Sequence, residues 1–302
     1  MIGIIVLNYI NWNDTERCLK SIISTTYNIK YHIYLIDNAS PNKIPGYIKD
    51  FLGIENITFI QNPKNIGFSA GNNVGIKKAL EDECEYILVV NNDVIFLENS
   101  ILNMHSYLEH NLHIGIVGPK ILKPDGSIEF PSMLIKTGLK EKYLVNTPLR
   151  YLSSHAKKKF YCSKSDIDKT FHVHAVRGCC FMMTKQCAID ITPFDENTFL
   201  FEEELIIGIS MENKGYETIY YPKSAVIHAH GQSTKNAKAF SFICFVKSEI
   251  YYCKKYLNAR FIQILPLYII RTLSYFARSF KYKDYRKNSI KYMKETLKYF
   301  AN

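Results

Sequence analysis

The sequence predicts an α/β fold, built on a mostly parallel sheet with helices on both faces. Two observations support this prediction. Short apolar runs alternate with longer helix-like segments over the first 120 residues, and such alternation is typical of parallel sheets. One run, Tyr86–Val90, ends abruptly in Asn91-Asn92-Asp93. Because ligands bind outside the carboxyl ends of strands in open α/β sheets, this ending predicts where a site lies.

The predicted elements follow one another in this first part of the chain. Strands are predicted at Ile2–Leu7, Tyr31–Ile36, Ile57–Ile60, Tyr86–Val90 and Ile114–Val117. Helices are predicted at Asp14–Ile23, Ser69–Leu80 and Ser100–His110. Asp14 is the expected N-cap of the first helix, because its side chain can accept a hydrogen bond from a free backbone N–H.

Shorter elements are predicted further along the chain. Residues from 130 to 170 are basic and poorly periodic, so we expect an excursion or mobile loop there. Strands are then predicted at Val173–Val176, Phe181–Met183, Thr218–Tyr221 and Ala225–His228. Pro222 is expected to end the third of these strands. A helix is predicted over Phe201–Lys214, ended by Gly215.

The basic residues are concentrated near the C-terminus. The 302 residues carry a net charge of +10. Residues 235–302 hold 15 Lys and Arg against three acids, a net of +12, which leaves 23 against 25, a net of −2, for the first 234. A basic tail favours nucleic acid or an anionic membrane surface, or is merely solvated. We predict a main domain over residues 1–235 and a basic, amphipathic helical region over residues 236–302.

Localisation is predicted from what the sequence lacks. The most apolar stretch of the tail, Phe261–Ile270, has ten residues and contains Pro266. A membrane-spanning helix needs about 20 apolar residues, so this stretch is expected to lie in an interface instead. Met1–Leu7 lacks the features of a signal peptide, and the eight cysteines form no C-x-x-C pair. We therefore expect a reducing, cytoplasmic setting.

Four polar segments are predicted to meet at the carboxyl edge of the sheet. They are Leu7-Asn8-Tyr9, Asp37-Asn38-Ala39-Ser40, the glycine-rich run from Asn62 to Asn73, and Asn91-Asn92-Asp93. An acid that ends the second strand can accept hydrogen bonds from a ribose or a base. The glycine-rich run precedes a helix, so its backbone N–H groups can face an anion. Asp93 offers an oxygen ligand to a hard divalent cation that carries a phosphate.

In this order, the motifs N-Y, D-N-A-S, N-x-G-F-S-A-G-N-N-x-G and N-N-D resemble those of family 2 glycosyltransferases of the GT-A fold. The similarity is greatest to the bacterial rhamnosyltransferase-like branch that builds O-antigens and capsules. It covers roughly residues 2 to 235, and the glycine-rich segment is its most specific part. The resemblance implies a mostly parallel nucleotide-binding sheet flanked by helices, with a C-terminal helical extension.

The resemblance also implies which residues bind the nucleotide sugar. Asp37 would contact the nucleotide, in a pocket shaped by Asn65, Gly67 and Asn72. The full expected set is Asn8, Tyr9, Asp37, Asn38, Asn65, Gly67, Asn72, Asn92, Asp93 and Arg177. Asp93 is the last position of the D-x-D motif, which binds the divalent metal, Mn²⁺ or Mg²⁺, on the diphosphate. Asn91 replaces the first acid of that motif, which leaves one carboxylate fewer for the metal.

A histidine and an arginine are implied on the other side of the diphosphate. His228-Ala-His230-Gly231-Gln-Ser233 matches the family pattern H-x-x-G-x-S, which closes over the diphosphate. We expect His228, or alternatively His230, to ligate the metal or to hydrogen-bond the leaving group. Arg177-Gly178 precedes a strand, and in the family the segment before that strand lines the acceptor side, where Arg177 could pair with a phosphate.

A general base is implied by Glu202-Glu203-Glu204, because the family usually has an acidic pair at this place. An inverting transfer needs a base to take a proton from the acceptor hydroxyl. Three adjacent acids repel each other, which would raise one pKa toward a useful range. The helix that follows favours Glu203, with Glu204 second, and Leu205 replaces a later family acid. Acids also simply favour the first turn of a helix.

These features predict an inverting, metal-assisted glycosyltransferase. The donor would be a UDP-, dTDP- or GDP-linked sugar, and the acceptor would be a hydroxyl of a lipid-linked bacterial surface glycan. The basic tail would hold the enzyme on the anionic inner face of the cell membrane, and no nucleic-acid fold signature appears. A dehydrogenase or a pyrophosphorylase would need a glycine-rich loop after the first strand, which is absent. The alternative is a non-catalytic membrane-surface assembly partner derived from a glycosyltransferase, which Asn91 and Leu205 keep open.

Overall fold

The computed structural model describes residues 1–26, 29–129, 133–145, 147, 167–229 and 238–301. Its strands are β1 (Ile2–Asn8), β2 (Tyr31–Asp37), β3 (Ile57–Gln61), β4 (Tyr86–Asn91), β5 (Val94–Phe96), β6 (Ile114–Leu122), β7 (Met133–Leu134), β8 (Phe171–Val173), β9 (Ala175–Val176), β10 (Cys180–Thr184) and β11 (Glu217–His228). Its helices are α1 (Trp12–Thr25), α2 (Gly46–Leu52), α3 (Phe68–Glu81), α4 (Ser100–His110), α5 (Leu139–Val145), α6 (Lys185–Ile191), α7 (Glu203–Lys214), α8 (Lys238–Lys255), α9 (Phe261–Lys281), α10 (Lys283–Lys287) and α11 (Ser289–Ala301).

A mixed sheet, nine-stranded over the described residues, forms the centre of the molecule. Its order is β3-β2-β1-β4-β10-β6-β11-β5, and β8 pairs with β11 outside this path. Strands β3, β2, β1 and β4 run parallel, as do β6 and β11. Strand β10 lies antiparallel between β4 and β6. The predicted fold class, α/β with a mostly parallel sheet and C-terminal helices, is therefore confirmed.

The strand register brings the predicted polar segments to one edge of the sheet. Asn8 pairs with Asp37 across β1 and β2, and Leu7 pairs with Asn91 across β1 and β4. Most residues before these positions are apolar and buried, on both faces of the sheet. Polar side chains are thus grouped where the strands end, as the sequence predicts.

Helix α3 lies directly against β1 and β2. Successive strand residues point to opposite faces, so Ile4 belongs to one core cluster and Ile5 to the other. A Cβ on Gly75 would lie 2.4 Å from Cγ2 of Ile5, and one on Gly71 would lie 2.7 Å from Cδ1 of Leu7. These glycines let the helix approach closely, which fixes its N-terminus near the carboxyl ends of the strands.

One predicted strand boundary is wrong. Thr218–Tyr221 and Ala225–His228 belong to the single strand β11, which continues past Pro222. The register of β11 against β6 shifts between Tyr221 and Ala225. Proline has no N–H to donate to a neighbouring strand. Where the pairing is irregular, as it is here, that hydrogen bond is not required. The proline therefore bends the strand without ending it.

Three further predictions are refined. The predicted strand Val173–Val176 is divided into β8 and β9, and β9 pairs with β7 in a separate small sheet. Part of the predicted loop between residues 130 and 170 forms α5. The helix predicted from Phe201 begins at Glu203, because Phe201 and Glu202 have φ values of +73° and +71°. Such values lie outside the right-handed helical region.

The C-terminal helices α8 to α11 pack around a third core cluster that is rich in tyrosine. The rings of Tyr275 and Tyr292 stack with their centroids 3.9 Å apart. Leu205 and Ile206, from the first turn of α7, belong to the same cluster. The helical extension is thus packed on the part of the chain that carries the predicted acids. The predicted boundary at residues 235 and 236 lies outside the described residues, and the division into domains stays a prediction.

A buried ion pair joins α8 to α9. Arg271 donates from Nε and Nη2 to the two carboxylate oxygens of Glu249, each at 2.7 Å. The two side chains are only 5% and 2% exposed. Desolvating two charges is costly unless their hydrogen bonds are satisfied, and the forked geometry satisfies both oxygens.

We predict that Arg271→Met lowers the free energy of unfolding by about 3–5 kcal/mol, because it leaves the Glu249 carboxylate buried without its partner. The double variant Glu249→Met/Arg271→Met removes both charges and should recover most of this loss. Urea unfolding followed by circular dichroism measures both values. A double variant as unstable as the single one would show that the unpaired Glu249 carboxylate does not cause the loss of stability.

Candidate active site

Asn8 connects the polar segments at the carboxyl edge of the sheet. It is fully buried, and its Nδ2 donates to Oδ1 of Asp37 at 2.9 Å. Its Oδ1 accepts from Oγ1 of Thr15 at 2.9 Å and from Nδ2 of Asn92 at 3.0 Å. One amide therefore links the ends of β1 and β2, helix α1 and the turn after β4. Tyr9, the next residue, is half-buried at the rim.

Asp37 lies at the predicted place and is fully buried. Its Oδ1 accepts from Asn8 and from Oγ of Ser40, and its Oδ2 accepts from the N–H of Ser40 at 3.1 Å and from Nε2 of Gln61 at 3.0 Å. Both oxygens thus hold neighbouring strand ends in place. The predicted contact between Asp37 and the nucleotide stays a prediction.

Asn38 shapes the loop that precedes α3. Its Nδ2 donates to Oδ1 of Asn65 and to the carbonyl oxygen of Gly67, both at 3.0 Å. Its Oδ1 accepts from Nδ2 of Asn62 at 3.1 Å and from the N–H of Ile66 at 3.2 Å. Two of the predicted pocket residues, Asn65 and Gly67, are therefore held by one side chain. Asn72 is buried one turn into the helix, where its Nδ2 donates to the carbonyl oxygen of Phe68 at 3.0 Å.

The same loop and helix hold the segment that leads to the acidic residues. Gly67 has φ +88°, and a Cβ there would lie 2.6 Å from the carbonyl oxygen of Phe199. That oxygen accepts from the N–H of Phe68 at 2.9 Å. Asn73 exchanges two hydrogen bonds with the backbone of Phe194, at 2.8 and 2.9 Å. The glycine-rich motif therefore positions the acidic segment as well as the expected nucleotide pocket.

Asp93, His228, Glu129 and Arg177 form a continuous row of charged groups. Nε2 of His228 lies 3.3 Å from Oδ1 of Asp93, and its Nδ1 lies 3.1 Å from Oε2 of Glu129. Nη2 of Arg177 lies 3.5 Å from the other oxygen of Glu129. Burial alone would lower the pKa of His228, but the two carboxylates outweigh it and raise the pKa to about 9. The two acids thus favour the protonated histidine, which would have to release its Nε2 proton to bind a metal ion.

Asp93 and His228 fit the chemistry of a divalent metal. Oδ1 of Asp93 is buried and makes no hydrogen bond with the described part of the chain, although it faces the histidine nitrogen. Carboxylate and imidazole are suitable ligands for Mn²⁺, and a carboxylate with substrate phosphates suits Mg²⁺. No group of three His, Cys, Asp or Glu residues that could hold a metal occurs within the described ranges. A metal ion held by these two side chains alone would leave positions for the diphosphate and water.

The three consecutive glutamates have different surroundings. Glu202 is buried and forms an ion pair with the buried Lys142, so it has a structural partner. Glu203 is 9% exposed, and its Oε2 has no hydrogen-bond partner among the described residues. Burial first, and then the charges of Glu204 and Glu202, raise the pKa of Glu203 well above its usual value. Glu204 is half-buried and its Oε1 accepts from the N–H of Gly178 at 3.2 Å.

Helix α8 holds the acidic segment from the other side. Asp195 accepts hydrogen bonds from the hydroxyl groups of Tyr251 and Tyr256, at 2.7 and 2.5 Å, and from Nζ of Lys255 at 2.9 Å. Oγ of Ser248 donates to the carbonyl oxygen of Leu200 at 2.8 Å. The C-terminal helices therefore contribute to the geometry of the site without supplying the predicted catalytic residues.

Comparison with known protein families identifies the family of this chain. The family model described as "Glycosyl transferase family 2" matches residues 2–190. The chain belongs to glycosyl transferase family 2. The family and the enzyme class predicted from the sequence are therefore confirmed.

Curated relatives of this glycosyltransferase come from bacteria and archaea. It is 22% identical over 249 residues to the N-acetylglucosaminyl-diphospho-decaprenol L-rhamnosyltransferase of Mycobacterium tuberculosis, and the match covers 78% of each chain. It is 25% identical over 126 residues to the low-salt glycan biosynthesis hexosyltransferase Agl10 of Haloferax volcanii. That second match covers 41% of this chain and 38% of the relative, so the chain spans well under half of it.

Solved structures of glycosyltransferases share the GT-A fold of this one. The mannosyltransferase of Pyrobaculum calidifontis, in complex with GDP-mannose and Mn²⁺, has a TM-score of 0.56 at 12% identity, covering 95% of this chain and 73% of that one. GalNAc-T7 with UDP, GalNAc and Mn²⁺ has a TM-score of 0.59 at 15% identity, covering 76% of this chain and 43% of that one. At such identities the likeness concerns the fold alone.

The structure brings the predicted site residues of the glycosyltransferase together. Asp37 contacts Asn8, which contacts Asn92, and the next residue, Asp93, lies against His228. The glycine-rich loop contacts the acidic segment. Arg177 lies at Glu129, and its neighbour Gly178 contacts Glu204. The alternative histidine, His230, lies outside the described residues. The individual roles of these residues stay predictions.

Sequence reasoning missed three residues that arrange the site. They are Glu129, Lys142 and Asp195. Their partners lie 99, 60 and 56 positions away in the chain, at His228, Glu202 and Tyr251. No local motif or periodicity indicates contacts at such separations, so only the folded chain identifies them.

We predict that Gly67→Ala destabilises the protein by about 1–3 kcal/mol, the usual cost of a strained backbone. An alanine there would meet the Phe199 carbonyl and adopt a left-handed φ, so the loop and the acidic segment would separate. Affinity for GDP or UDP, measured by calorimetry, should fall with the melting temperature. Gly46→Ala is the matched control, because Gly46 opens α2 with no atom within 4 Å of a Cβ. If both variants behave like the wild type, the glycine is not required for this contact.

Proposed function

We propose that the protein is an inverting glycosyltransferase that moves a sugar from a nucleotide diphosphate to a hydroxyl of a bacterial surface glycan. The observation that carries the proposal is the row of groups from Asp93 through His228, Glu129 and Arg177 toward Glu204. This row connects the candidate metal ligands, Asp93 and His228, to acidic side chains within one site. The reaction requires both a metal site for the diphosphate and a carboxylate that takes the acceptor proton.

The donor is proposed to be a UDP-, dTDP- or GDP-linked sugar. Structures with the same fold contain UDP in one case and GDP-mannose in another, each with Mn²⁺. Here the carboxyl edge offers a glycine-rich loop and the N-terminus of α3, which suit a phosphate group. Asp93 and His228 would hold the divalent ion. When bound, that ion neutralises the charge of the departing diphosphate.

The glutamates supply the acid–base part of the reaction. As the acceptor oxygen forms its bond to the anomeric carbon, the bond from that carbon to the diphosphate oxygen breaks. The proton of the acceptor hydroxyl goes to a glutamate carboxylate. Attack from the face opposite the leaving group inverts the configuration. Glu203 has the raised pKa and an oxygen with no hydrogen-bond partner in the described part of the chain, whereas Glu204 has the more exposed side chain.

The acceptor is proposed to be lipid-linked, as in the O-antigen and capsule branch that the motifs resemble. The name of the mycobacterial relative describes a diphospho-decaprenol acceptor. Such acceptors are held in a membrane, which agrees with the net charge of +12 over residues 235–302. We infer a peripheral position on the anionic inner face of the cell membrane, since about 1 kcal/mol of attraction comes from each basic residue near such a surface.

We predict that Asp93→Asn abolishes Mn²⁺-dependent binding of GDP or UDP and sugar transfer, because the variant loses the carboxylate ligand and keeps the side-chain shape. The melting temperature without ligand should change little. Calorimetry with and without Mn²⁺ measures the effect, with the exposed Asp50→Asn as the matched control. Retained metal-dependent binding in Asp93→Asn would exclude this residue as a ligand.

We predict that the Gln variant of the true base, at Glu203 or Glu204, lowers kcat by about 10²–10⁴-fold while nucleotide affinity is kept. If Glu203 is the base, the wild-type kcat should rise with pH through its raised pKa, because only the ionised carboxylate accepts the proton. Glu202→Gln is the contrasting control. It breaks the buried ion pair with Lys142 and should lower the free energy of unfolding, whereas the Gln variant of the base should lower kcat. Normal turnover in both Gln variants would place the base elsewhere.

A further inference from the structure

Helix α9 has two apolar faces, and the described part of the chain covers one of them. Ile264, Tyr268 and Tyr275 are buried against the other C-terminal helices. The opposite face consists of exposed residues that we name the outer stripe: Ile262, Pro266, Ile269, Leu273, Phe276 and Phe280. In this stripe Ile262 is 74% exposed, Leu273 is 65% exposed and Phe280 is 85% exposed.

The outer stripe is continuous along the helix. Its members are spaced alternately four and three residues apart, which keeps them on one side of an α-helix. At about 1.5 Å per residue, the stripe is about 27 Å long. Single exposed apolar residues are ordinary, but an aligned row of this length marks an interaction surface.

The C-terminal helices that include the outer stripe are strongly basic. From residue 256 onward the chain has ten Lys and Arg but two acids, Asp284 and Glu295. Nine of the ten basic residues are exposed, namely Arg260, Arg278, Lys281, Lys283, Arg286, Lys287, Lys291, Lys294 and Lys298. The two acids are half-buried and engaged, Asp284 with the N–H of Ala239 and Glu295 with Lys247. The exposed charge of the C-terminal helices is therefore mostly positive.

The positive charge of these helices indicates which kind of partner binds the outer stripe. A second copy of the chain would bring two cationic surfaces together, and like charges oppose that contact. An anionic bilayer satisfies both features, because its headgroups attract the basic side chains and its acyl boundary accepts the apolar ones. No helix in the described ranges is long and apolar enough to cross a membrane, so the contact is a superficial one.

We propose that α9 lies flat on an anionic bilayer with the outer stripe inserted at the headgroup level. This inference rests on the proposed function in one respect, the peripheral position at the membrane, and it identifies the surface responsible. The ion pair of Arg271 with Glu249 anchors the helix to α8, so the inserted face has a fixed orientation on the protein.

Vesicle binding tests the outer stripe. Leu273→Ser/Phe280→Ser should reduce partitioning of the full chain onto vesicles that contain phosphatidylglycerol by at least about tenfold, since each loses a large apolar side chain. The matched control is Leu112→Ser/Ile189→Ser, which changes two residues that are 86% and 50% exposed outside the C-terminal helices. The control variant should bind these vesicles like the wild type. Neither the control variant nor the wild type should bind vesicles of pure phosphatidylcholine at high salt.

Fluorescence tests insertion directly. In Leu273→Trp, the indole emission should shift to the blue and be quenched by brominated lipid. The natural Trp12 is 2% exposed and gives a constant background. An unquenched indole, or undiminished vesicle binding by the stripe variant, overturns the proposal. A wild-type dimer that the stripe variant converts to monomers overturns it in favour of a subunit interface.

Nucleotide binding separates this inference from the enzymatic one. Mn²⁺-dependent affinity for GDP or UDP should be unchanged in Leu273→Ser/Phe280→Ser, because the stripe is remote in sequence from every predicted site residue and exposed. Conversely, Asp93→Asn should keep full vesicle binding. Vesicle binding retained by the stripe variant would therefore refute the membrane inference alone, and Mn²⁺-dependent nucleotide binding retained by Asp93→Asn would refute the proposed site alone.

Discussion

The acidic segment from Phe194 to Glu204 is held by hydrogen bonds from three directions, and the geometry of the site depends on that restraint. The segment is largely irregular, and two of its residues have positive φ, so its own backbone does not determine its path. Asn73 holds one end, Lys142 holds the other, and Asp195 is held by α8. Side chains become accurately placed when their supporting contacts are rigid, and a free loop would lack this property.

The buried charges near the site are of two kinds. Lys142 with Glu202, and Arg271 with Glu249, are matched pairs whose members satisfy each other. Glu203 is different, because it is nearly as buried but has an oxygen with no partner among the described residues. Burying a polar group in this way costs free energy, and such costs are concentrated where a protein acts on a ligand. The contrast distinguishes Glu203 from Glu202, although the two are adjacent in the chain.

The strand ends and their polar residues could be predicted from the sequence, because the cause is local. An apolar run that stops at Asn8, Asp37 or Asn91 shows its own boundary, and parallel register aligns the boundaries. Contacts such as Glu129 with His228 depend on how distant parts of the chain pack, so no local pattern reports them. Pro222 illustrates the opposite error, since a residue that usually ends a strand is tolerated where the pairing is irregular.

The contacts made by α8 have a consequence for synthesis of the chain. Tyr251, Lys255 and Tyr256, which hold Asp195, are translated 56 to 61 residues after it. The sheet and the glycine-rich loop can form while the ribosome is still adding these helices, because domains fold as their residues emerge. The acidic segment acquires its full set of contacts only later. A nascent chain would therefore be able to form the proposed nucleotide-binding edge before the proposed acid–base groups are aligned, which would delay activity until the C-terminal helices have emerged and packed.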